Sequence, residues 1–437
     1  MNDDFSENQA PGAAGREAGP DFVRDFDRVA RRVRALGGTC SFGFWFITDL
    51  HVPSNFRGSG GLLARFVRET GLRAVVCGGD VPEAFGDGAS LEASVAAYRE
   101  DWVLPVERAG GLFFPLHGNH DFTIRAAADS DAGVSWPQER TRETLFSAAA
   151  VRDIGAAGST VPGERGPAPS CAYFADFPDA RVRLVAIDTH DAFDSSRSYW
   201  CVADGVSAAQ ADWIARRAIG TLPDGWSVVA ASHAPLAGVA AEDRERAIFA
   251  PVCGIFAPLA REGRVLAAVS GHHHAERQSR TGGAWHVTEP CDAAYLDYIH
   301  GSQPWVPDLQ PKERGTWAGQ TFDAVQFDLG RGIAFFTRVG GGTDRAIHLR
   351  PVRVAAGGAI RLAPEFLDGP VSWACHDGAA SAKRPNPARK YDYFYDYRFD
   401  VAEIGPDGVL RAKAPGDAVA IAAARDGARE LFAVEVA

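Results

Sequence analysis

The chain lacks the cysteine pattern of a disulfide-rich or zinc-finger protein. Its seven cysteines among 437 residues are odd in number and dispersed, without the paired spacing of a disulfide framework or a zinc knuckle. We interpret them as the reduced thiols of a cytoplasmic enzyme. Residues 1–20 also lack the charged start and apolar centre of a secretory signal. Their polar, glycine-rich and acidic composition predicts a disordered tail.

Long apolar runs and an excess of basic residues are missing as well. No apolar run approaches the roughly 18 residues that a membrane-spanning helix needs. The 45 lysines and arginines are outnumbered by 56 acidic residues, which gives a net charge of −11. This balance argues against a constitutive binder of nucleic acid or of an anionic membrane, because such a protein would show a basic stripe. The length and the 46% of hydrophobic residues predict two domains with a sizeable core.

What the sequence does contain is five short polar clusters, each directly after an apolar, strand-like run. They are Thr48-Asp49-Leu50-His51, Gly78-Gly79-Asp80, Gly118-Asn119-His120-Asp121, Ser232-His233 and Gly271-His272-His273-His274. Because side chains alternate along a strand, we expect Asp49 and His51 to point to one side, and likewise His272 and His274. The carboxyl ends of strands in an open α/β sheet share one crevice, so the five clusters are expected to converge.

The side chains in these clusters are suited to metal binding. Carboxylates, an asparagine carbonyl and imidazoles form a mixed ligand set that favours manganese, iron or zinc over calcium. Taken alone, each cluster has a simpler interpretation, because Asp-x-His and Gly-Asn-His-Asp are also common in turns and three histidines can form a solvated loop. The whole set in this order predicts a site for two adjacent divalent ions.

The order Asp-x-His, Gly-Asp, Gly-Asn-His-Asp, His and Gly-His-x-His resembles the calcineurin-like metallophosphoesterase superfamily over about residues 40–340. The resemblance implies an α/β (α+β) fold, a four-layer sandwich of mixed β-sheets flanked by helices, that hydrolyses phosphate esters with two divalent ions. It also implies the ligands, which are Asp49, His51 and His274 for one ion, Asn119, His233 and His272 for the other, and Asp80 as the bridge. His120 would be the catalytic histidine beside the leaving group, with Asp121 fixing its orientation.

Elementary chemistry leads to the same activity. Two dications about 3.5 to 4 Å apart lower the pKa of a bridging water and neutralise charge on a phosphate ester. A histidine beside the departing oxygen can donate a proton to it, which contributes about 10² to 10⁴ in rate. The expected reaction is therefore hydrolysis of a small phosphate-ester substrate.

Departures from the family pattern narrow the expected substrate. Phosphoprotein phosphatases similar to calcineurin carry Asp-Arg-Gly shortly after the bridging aspartate and an arginine before the asparagine, where this chain has Val81-Pro82-Glu83-Ala84-Phe85-Gly86 and Leu116-His117. Purple acid phosphatases place a tyrosine three residues after that aspartate, at the position of Glu83 here. We therefore expect a small-molecule or nucleotide phosphodiester. The alternatives are a phosphomonoesterase or a non-catalytic binding protein with a vestigial metal site.

Several residues near the expected crevice stay ambiguous. His117, Asp188, His190 and Asp191 could support the metal ligands or serve as turn residues. His273 should point away from its neighbours and is given no metal role. Residues 122–170 could form a lid or a helix with a connector, and the same uncertainty covers Arg197, Tyr199, Trp200 and residues 292–317.

Hydrophobic periodicity predicts the elements that carry the clusters. A helix spans Phe22 to Leu36, and a βαβ unit follows with strand Phe42–Ile47, helix Leu62–Thr70 ended by Gly71, and strand Arg73–Cys77. The later elements are a helix from Leu91 to about Arg108, a strand Leu112–Leu116, a capping box of Ser207 with Gln210, and a strand Trp226–Ala231.

From about Leu349 the sequence changes to short alternating strands. Trp373, the Asp407-Gly408 hairpin and the Pro415-Gly416 turn resemble the group 2 bacterial immunoglobulin-like domain. The resemblance implies an all-β immunoglobulin-like sandwich over residues 349–437 of a bacterial protein, after a metallophosphoesterase domain over residues 21–345. The aromatic and acidic segment Tyr391–Tyr397 is either an edge strand or a surface for a protein or glycan partner.

Overall fold

A computed structural model of the chain describes residues 20–52, 55, 58–82, 88–121, 123–125, 133–156, 159, 161–192, 205–238, 243–292, 312, 316–377, 380–385 and 393–437. The predictions made for residues 1–19, Glu83, Arg197, Tyr199 and Trp200, and most of residues 293–315, lie outside these ranges.

The helices of the described ranges are numbered in chain order. They are α1 (Pro20–Gly37), α2 (Ser59–Thr70), α3 (Gly88–Tyr98), α4 (Leu104–Arg108), α5 (Gln138–Leu145), α6 (Ala149–Arg152), α7 (Ala208–Trp213) and α8 (Asp243–Arg261). Wider π-helical turns continue two of them, at Arg99–Val103 and Ile214–Ile219, and tighter 3-10 turns lie at Pro178–Ala180 and Trp317–Gly319. None of these described helices has the length and apolar character that crossing a membrane requires.

The strands are numbered in the same way. They are β1 (Phe42–Ile47), β2 (Ala74–Cys77), β3 (Leu112–Pro115), β4 (Thr123–Arg125), β5 (Gly133–Ser135), β6 (Gly163–Arg165), β7 (Tyr173–Phe177), β8 (Val182–Ile187), β9 (Ser227–Ser232), β10 (Val265–Ser270), β11 (Arg277–Thr281), β12 (Ala284–Thr288), β13 (Thr321–Asp328), β14 (Ile333–Gly340), β15 (Arg345–Val354), β16 (Ala359–Arg361), β17 (Val371–Asp377), β18 (Ala380–Pro385), β19 (Tyr393–Tyr397), β20 (Ala402–Ile404), β21 (Val409–Ala412), β22 (Gly416–Ala424) and β23 (Arg429–Val436).

Two large mixed sheets organise these strands. Over the described residues, one sheet has nine strands in the order β17-β22-β23-β15-β14-β13-β1-β2-β3, and the other has seven in the order β11-β12-β10-β9-β8-β7-β6. Strands β1, β2 and β3 are mutually parallel, and so are β8, β9 and β10. Antiparallel neighbours, β13 in one sheet and β7 in the other, make both sheets mixed.

Helices cover the outer faces of the two sheets, which pack against each other through a buried core. Phe46 and Val229 belong to the core between the sheets. Phe26 of α1 packs with Trp45 in a second core outside the nine-stranded sheet, and Phe249 of α8 belongs to a third core outside the seven-stranded sheet. The predicted mixed α/β fold with flanking helices is confirmed.

Strand β1 shows why its bounds were predictable. Phe44 and Phe46 enter the core between the sheets, whereas Trp45 and Ile47 enter the helix-covered core. A strand buried on both faces has a continuous apolar sequence. The predicted and observed bounds agree for this reason. Helix α2 likewise ends before Gly71, whose φ of 76° is the left-handed conformation that glycine adopts readily.

The predicted capping box is only half formed. Ser207 Oγ accepts the Gln210 N–H at 3.2 Å, as expected for the residue that caps the start of α7. The Gln210 side chain, however, accepts the Asp188 N–H at 2.9 Å and donates to the Asp188 carbonyl at 2.8 Å. The Ser207 N–H donates instead to Asp191 Oδ1 at 2.6 Å. Gln210 therefore fixes the carboxyl end of β8.

Helices α5 and α6, within residues 122–170, pack against the two large sheets. Leu145 of α5 and Val151 of α6 are buried in the core between the two sheets. This packing favours the second alternative, a helix with a connector, for residues 138–152.

The C-terminal strands share a core with the rest of the chain. Val419 of β22 and Leu431 of β23 enter the core between the two large sheets. Ala420 and Phe432, one residue further along each strand, face a separate core with Leu410 of β21. Strand β15 crosses the predicted boundary between residues 345 and 349, so the domain division stays a prediction. The strand-rich region itself is compatible with a β domain.

Candidate metal centre

All five polar clusters lie just beyond the carboxyl ends of strands. They follow β1, β2 and β3 in one sheet and β9 and β10 in the other. Each of these two sets of strands is parallel, so its ends open at one edge of the sheet. The structure brings the seven predicted ligands together at the place where the two edges meet, although Asp49 and His274 are 225 positions apart in the sequence.

The reason for the spacing of the ligands differs from the prediction. Five predicted ligands have positive φ, namely Asp49 (55°), His51 (45°), Asp80 (52°), His272 (70°) and His274 (50°). They lie in loops after the strands, so the expected side-chain alternation along a strand is wrong. Only one further non-glycine residue of the described chain, Arg181, has positive φ. Such conformations cost about 1–3 kcal/mol each and persist where the surroundings impose them, which marks these loops as a functional site.

One half of the centre contains Asp49, His51, His274 and Asp80. Their ligand atoms all lie within 4.8 Å of one another. His274 Nε2 is 3.1 Å from Asp49 Oδ1 and 3.3 Å from His51 Nε2. Asp49 Oδ2 accepts hydrogen bonds from Thr48 Oγ1 at 2.6 Å and from the His272 N–H at 3.0 Å. These bonds fix the carboxylate and direct Oδ1 at the histidines.

The other half contains Asn119, His233 and His272. Asn119 Oδ1 lies 2.9 Å from His233 Nε2 and 2.8 Å from His272 Nδ1. The two ring nitrogens are 3.2 Å apart. The three atoms form a compact triangle beside Asp80, whose Oδ2 is 3.2 Å from His233 Nε2.

The hydrogen-bond partners of the rings show which nitrogens are free to bind a cation. His233 Nδ1 lies 2.8 Å from the Gly78 carbonyl, which can only accept a hydrogen bond, so Nδ1 carries the proton. His272 Nε2 lies 3.5 Å from the Glu245 carboxylate, which favours a proton on Nε2 in the same way. His233 Nε2, His272 Nδ1 and Asn119 Oδ1 then converge on one point. In the metal-free chain a proton on His233 Nε2 can lie among them, and a metal ion that takes these ligands displaces that proton.

Asp80 lies between the two halves. Its Oδ1 accepts the His120 N–H at 2.7 Å. Its Oδ2 lies 3.2 Å from His233 Nε2 on one side and 3.9 Å from His51 Nε2 on the other. A single oxygen of Asp80 therefore faces both halves, as a bridging ligand must.

The electrostatics of the buried site favour positive charge. Burial lowers the pKa of His233, but Asp80 and Asp49 outweigh burial and raise that pKa to about 10. Burial raises the pKa of Asp80, yet His233 and His120 lower it well below its usual range. The pKa of His272 shifts in the opposite direction, because burial and His273 lower it to about 3. Two ionised aspartates surrounded by basic nitrogens form a site that a divalent cation neutralises.

The two predicted catalytic residues lie on the loop after β3. His120 Nε2 is 3.9 Å from Asp80 Oδ2, and its side chain is 13% exposed. Asp121 is buried and accepts the Val81 N–H and the Gly118 N–H, both at 2.7 Å. Asp121 thus ties the loop of Asp80 to the loop of Asn119. Its role in orienting His120 stays a prediction.

The ambiguous residues form a layer beside the centre. His117 Nδ1 lies 2.9 Å from Asp188 Oδ1, and Asp188 also accepts the His190 N–H at 2.9 Å and the Cys171 N–H at 2.8 Å. The His190 ring centroid is 5.8 Å from that of His233. Asp188 therefore links the ends of β3 and β8, which gives it a supporting position next to the ligands.

Sequence reasoning missed Glu245, near the start of α8. Its carboxylate is buried, with Oε1 3.5 Å from His272 Nε2 and Oε2 3.3 Å from His273 Nε2. In the sequence it belongs to the run Glu242-Asp243-Arg244-Glu245. Acidic residues are favoured at any helix start, so no sequence signal separates this one. His273, expected to pack or face solvent, contacts the same carboxylate.

Close approach of the loops requires glycine at Gly271. A Cβ atom there would overlap Thr48 Oγ1 and Asp49 Oδ2. The loop that carries His272 and His274 can therefore reach the loop of Asp49 only where residue 271 has no side chain.

Fold and site together define a metal-dependent phosphoesterase class. A sequence model of the family named calcineurin-like phosphoesterase matches residues 42–276, more than half of the chain. The chain belongs to this calcineurin-like phosphoesterase family, as its motifs predicted.

Two solved structures are among those similar to the chain. A dimetal phosphatase from Danio rerio is 15% identical with a TM-score of 0.43, over 70% of this chain and 98% of that one. GAP50 from Plasmodium, described as the anchor in the inner membrane complex, is 12% identical with a TM-score of 0.40, over 68% of this chain and 84% of that one. No curated protein sequence matches the chain.

Proposed function

We propose that the chain hydrolyses phosphate esters with two divalent ions, manganese, iron or zinc, bound in the candidate centre. Asp49, His51 and His274 hold one ion, Asn119, His233 and His272 hold the other, and Asp80 joins them. The observation that carries this proposal is the convergence of His233 Nε2, His272 Nδ1 and Asn119 Oδ1 within 3.2 Å of one another. Imidazole nitrogens and an amide oxygen gathered this closely form a ligand set for a divalent ion of this kind, which would displace the proton of His233 Nε2.

The chain's own residues position the ester and supply a proton. When bound, divalent ions of this kind provide Lewis-acid polarisation of the phosphoryl oxygens and an activated water. Asp49 and His233 side chains are 0% exposed, whereas those of His120 and His274 are 13% exposed. The substrate therefore approaches from the side of His120, and His120 donates a proton to the departing oxygen.

We propose a small-molecule or nucleotide phosphodiester as the substrate class. A phosphomonoester carries a second charge that related phosphatases hold with arginines. After Asp80 this chain has Val81-Pro82-Glu83-Ala84-Phe85-Gly86, without an arginine, and before Gly118 and Asn119 it has His117. His117 Nδ1 lies 2.9 Å from Asp188 Oδ1. A diester with its single charge needs no such clamp. A phosphomonoesterase is the second candidate within the same fold.

The test begins with metal-stripped full-length protein reloaded with Mn²⁺, Fe²⁺ or Zn²⁺. We expect two ions per chain and faster cleavage of bis-nitrophenyl phosphate than of nitrophenyl phosphate at matched concentration, with cyclic nucleotides as further substrates. The variant His120→Ala should keep both ions and lose about 10² to 10⁴ in turnover. Faster monoester cleavage would support the second candidate. Two bound ions without hydrolysis of any ester would indicate a non-catalytic binding protein.

We further propose an immunoglobulin-like sandwich for residues 349–437, in a cytoplasmic protein that binds neither nucleic acid nor membranes. Two features support the sandwich. Gly408, with a φ of 75°, lies in the turn between the antiparallel strands β20 and β21, and strand β22 begins at Gly416 after the predicted turn. A protein or glycan partner would bind this region. The side chains of residues 391–396 lie outside the described part of the structure.

A further inference from the structure

Six buried ionisable side chains form a second cluster next to the candidate metal centre. This ionic cluster consists of Glu276, Glu289, Asp323, Arg338, Arg345 and Arg429, and each is at most 3% exposed. Arg338 contacts all three acids, with Nη2 2.8 Å from Glu276 Oε2 and 3.1 Å from Glu289 Oε2, and Nε 2.8 Å from Asp323 Oδ1. Formal charge is balanced, with three guanidinium groups facing three carboxyl groups.

Glu276 connects this cluster to the metal-binding loop. It follows His274 by two residues and directly precedes β11. Glu276 Oε2 accepts from Arg338 Nη2 at 2.8 Å and from Arg345 Nη1 at 3.5 Å. The loop of residues 271–276 therefore begins at the end of β10 and ends at a buried carboxylate held by arginines.

Arg429 supplies one of these arginines from the C-terminal strand β23. Its Nη2 donates to Glu276 Oε1, which lies 153 positions earlier in the sequence. The strand places it there because β23 pairs in parallel with β15, where Arg429 lies opposite Arg345. Leu431 then anchors β23 in the core between the large sheets. The position of Arg429 is thus set by the C-terminal region.

We infer that Arg429 is a positioning residue for the metal centre, and that the C-terminal region is a working part of the catalytic unit. His272 and His274 hold left-handed conformations, with φ of 70° and 50°, that persist only while the surrounding structure imposes them. The loop is held at its far end by Glu276, whose Oε1 accepts from Arg429 and whose Oε2 accepts from Arg338 and Arg345. Loss of Arg429 leaves only the arginine contacts of Oε2, which loosens that end of the loop and shifts the two histidines. This inference rests on the proposed metal-binding function.

The experiment measures Mn²⁺ affinity and stoichiometry by calorimetry on metal-stripped full-length protein, well below the melting temperature of every variant. Arg429→Met should weaken Mn²⁺ binding about tenfold or more, as loss of a supporting contact to metal ligands typically does. Arg429→Lys should weaken it less, because lysine keeps the charge but cannot bond in two directions. The double variant Glu276→Gln with Arg429→Met should bind more tightly than Arg429→Met, since no charge is left unpaired.

Arg353→Met is the matched control. Arg353 lies on the same strand pair, facing Glu435 of β23 at 3.3 Å, but the pair is 72% and 41% exposed. The Mn²⁺ affinity of the Arg353→Met variant should equal that of the wild type. If Arg429→Met melts earlier yet binds Mn²⁺ within twofold of the wild type, Arg429 is only structural and the inference is wrong. If Arg429→Met does not fold, Arg429→Lys decides, and wild-type affinity in that variant overturns the inference. A wild type that binds no Mn²⁺ refutes the proposed function instead.

Discussion

The candidate metal centre and the ionic cluster are both buried groups of ionisable side chains, and they lie at the two ends of one short loop. They differ in how charge is balanced. The ionic cluster pairs each carboxyl group with guanidinium groups of the protein. The candidate metal centre surrounds Asp49 and Asp80 with imidazoles whose ring nitrogens converge and can exchange a proton for a metal ion. Buried charge that the chain neutralises itself is structural, and buried charge that needs an external cation indicates a binding site.

The largest expected effect is on turnover, from Asp80→Asn. The change removes the charge of the residue that faces both halves of the centre, so turnover should fall to background and both ions should be lost. Elemental analysis with an ester hydrolysis assay measures this. The metal-free variant should also melt earlier than metal-free wild type, since the buried His233 loses the carboxylate that raises its pKa. Retention of two ions at wild-type affinity would contradict the bridging role.

Loss of a charge from the ionic cluster should lower the free energy of unfolding. Arg338→Met leaves three carboxyl groups short of their shared partner, so the free energy of unfolding should fall by about 3–5 kcal/mol. Chemical denaturation of the metal-free chain measures it. Arg331→Met is the control, because Arg331 and Glu365 form an exposed pair, 49% and 56% exposed, and exposed pairs contribute about 0–1 kcal/mol. Equal losses in both variants would remove the distinction between the two kinds of pair.

The contributions of the candidate metal centre and of the ionic cluster to stability should also differ in their pH dependence. His272 has a folded pKa of about 3 against 6.5 ordinarily, so its contribution to stability is present above pH 6.5 and declines as pH falls towards 3. Glu276, at about 2 against 4.5, contributes above pH 4.5 and declines only below that value. Each decline amounts to about 1.4 kcal/mol per pH unit.

Denaturation of the metal-free wild type, His272→Asn and Glu276→Gln across this range tests the separation. The stability difference for His272→Asn should shrink from pH 6.5 downwards, while that for Glu276→Gln stays constant until about pH 4.5. A difference for Glu276→Gln that already shrinks at pH 6 would show that the arginines do not hold its carboxylate ionised.

The smallest effects should come from the carboxylate behind the ligands. Glu245→Gln keeps the shape but weakens the acceptor facing His272 Nε2, so Mn²⁺ affinity should fall about tenfold. His273→Asn is the control in the same loop and should change that affinity less than twofold, because His273 is not among the predicted ligands. Calorimetry measures both. An equal loss in the two variants would mean that Glu245 acts through His273.

The residues of the candidate metal centre could be predicted because short sequence motifs contain them. Asp49, Asp80 and His274 each follow an apolar run that the structure confirms as a strand buried on both faces. Their conformation was not predictable in the same way. Aspartate and histidine rarely adopt positive φ, and nothing local in the sequence indicates that these residues do so. The strain is imposed by contacts between loops, such as the His272 N–H to Asp49, that a linear pattern does not encode.

The ionic cluster could not be predicted from the sequence, for a related reason. Glu276, Arg338 and Arg429 belong to segments that lie far apart in the chain, and single charged residues in alternating strands are typical of solvent-exposed positions. Only the pairing of β23 with β15 shows that Arg429 is buried. Composition placed a boundary near residue 349, whereas the hydrogen-bonded ladder continues across it.

The pairing of β23 with β15 also has a consequence for the synthesis of the chain. A ribosome releases the chain from its amino end, and early segments begin to fold while later ones are still being made. The histidines of residues 272–274 emerge well before Arg429, which follows Glu276 by 153 positions. If Arg429 positions the loop as proposed, the nascent loop in that interval has its predicted ligand side chains but not Arg429, and we expect full Mn²⁺ affinity only after translation has passed β23.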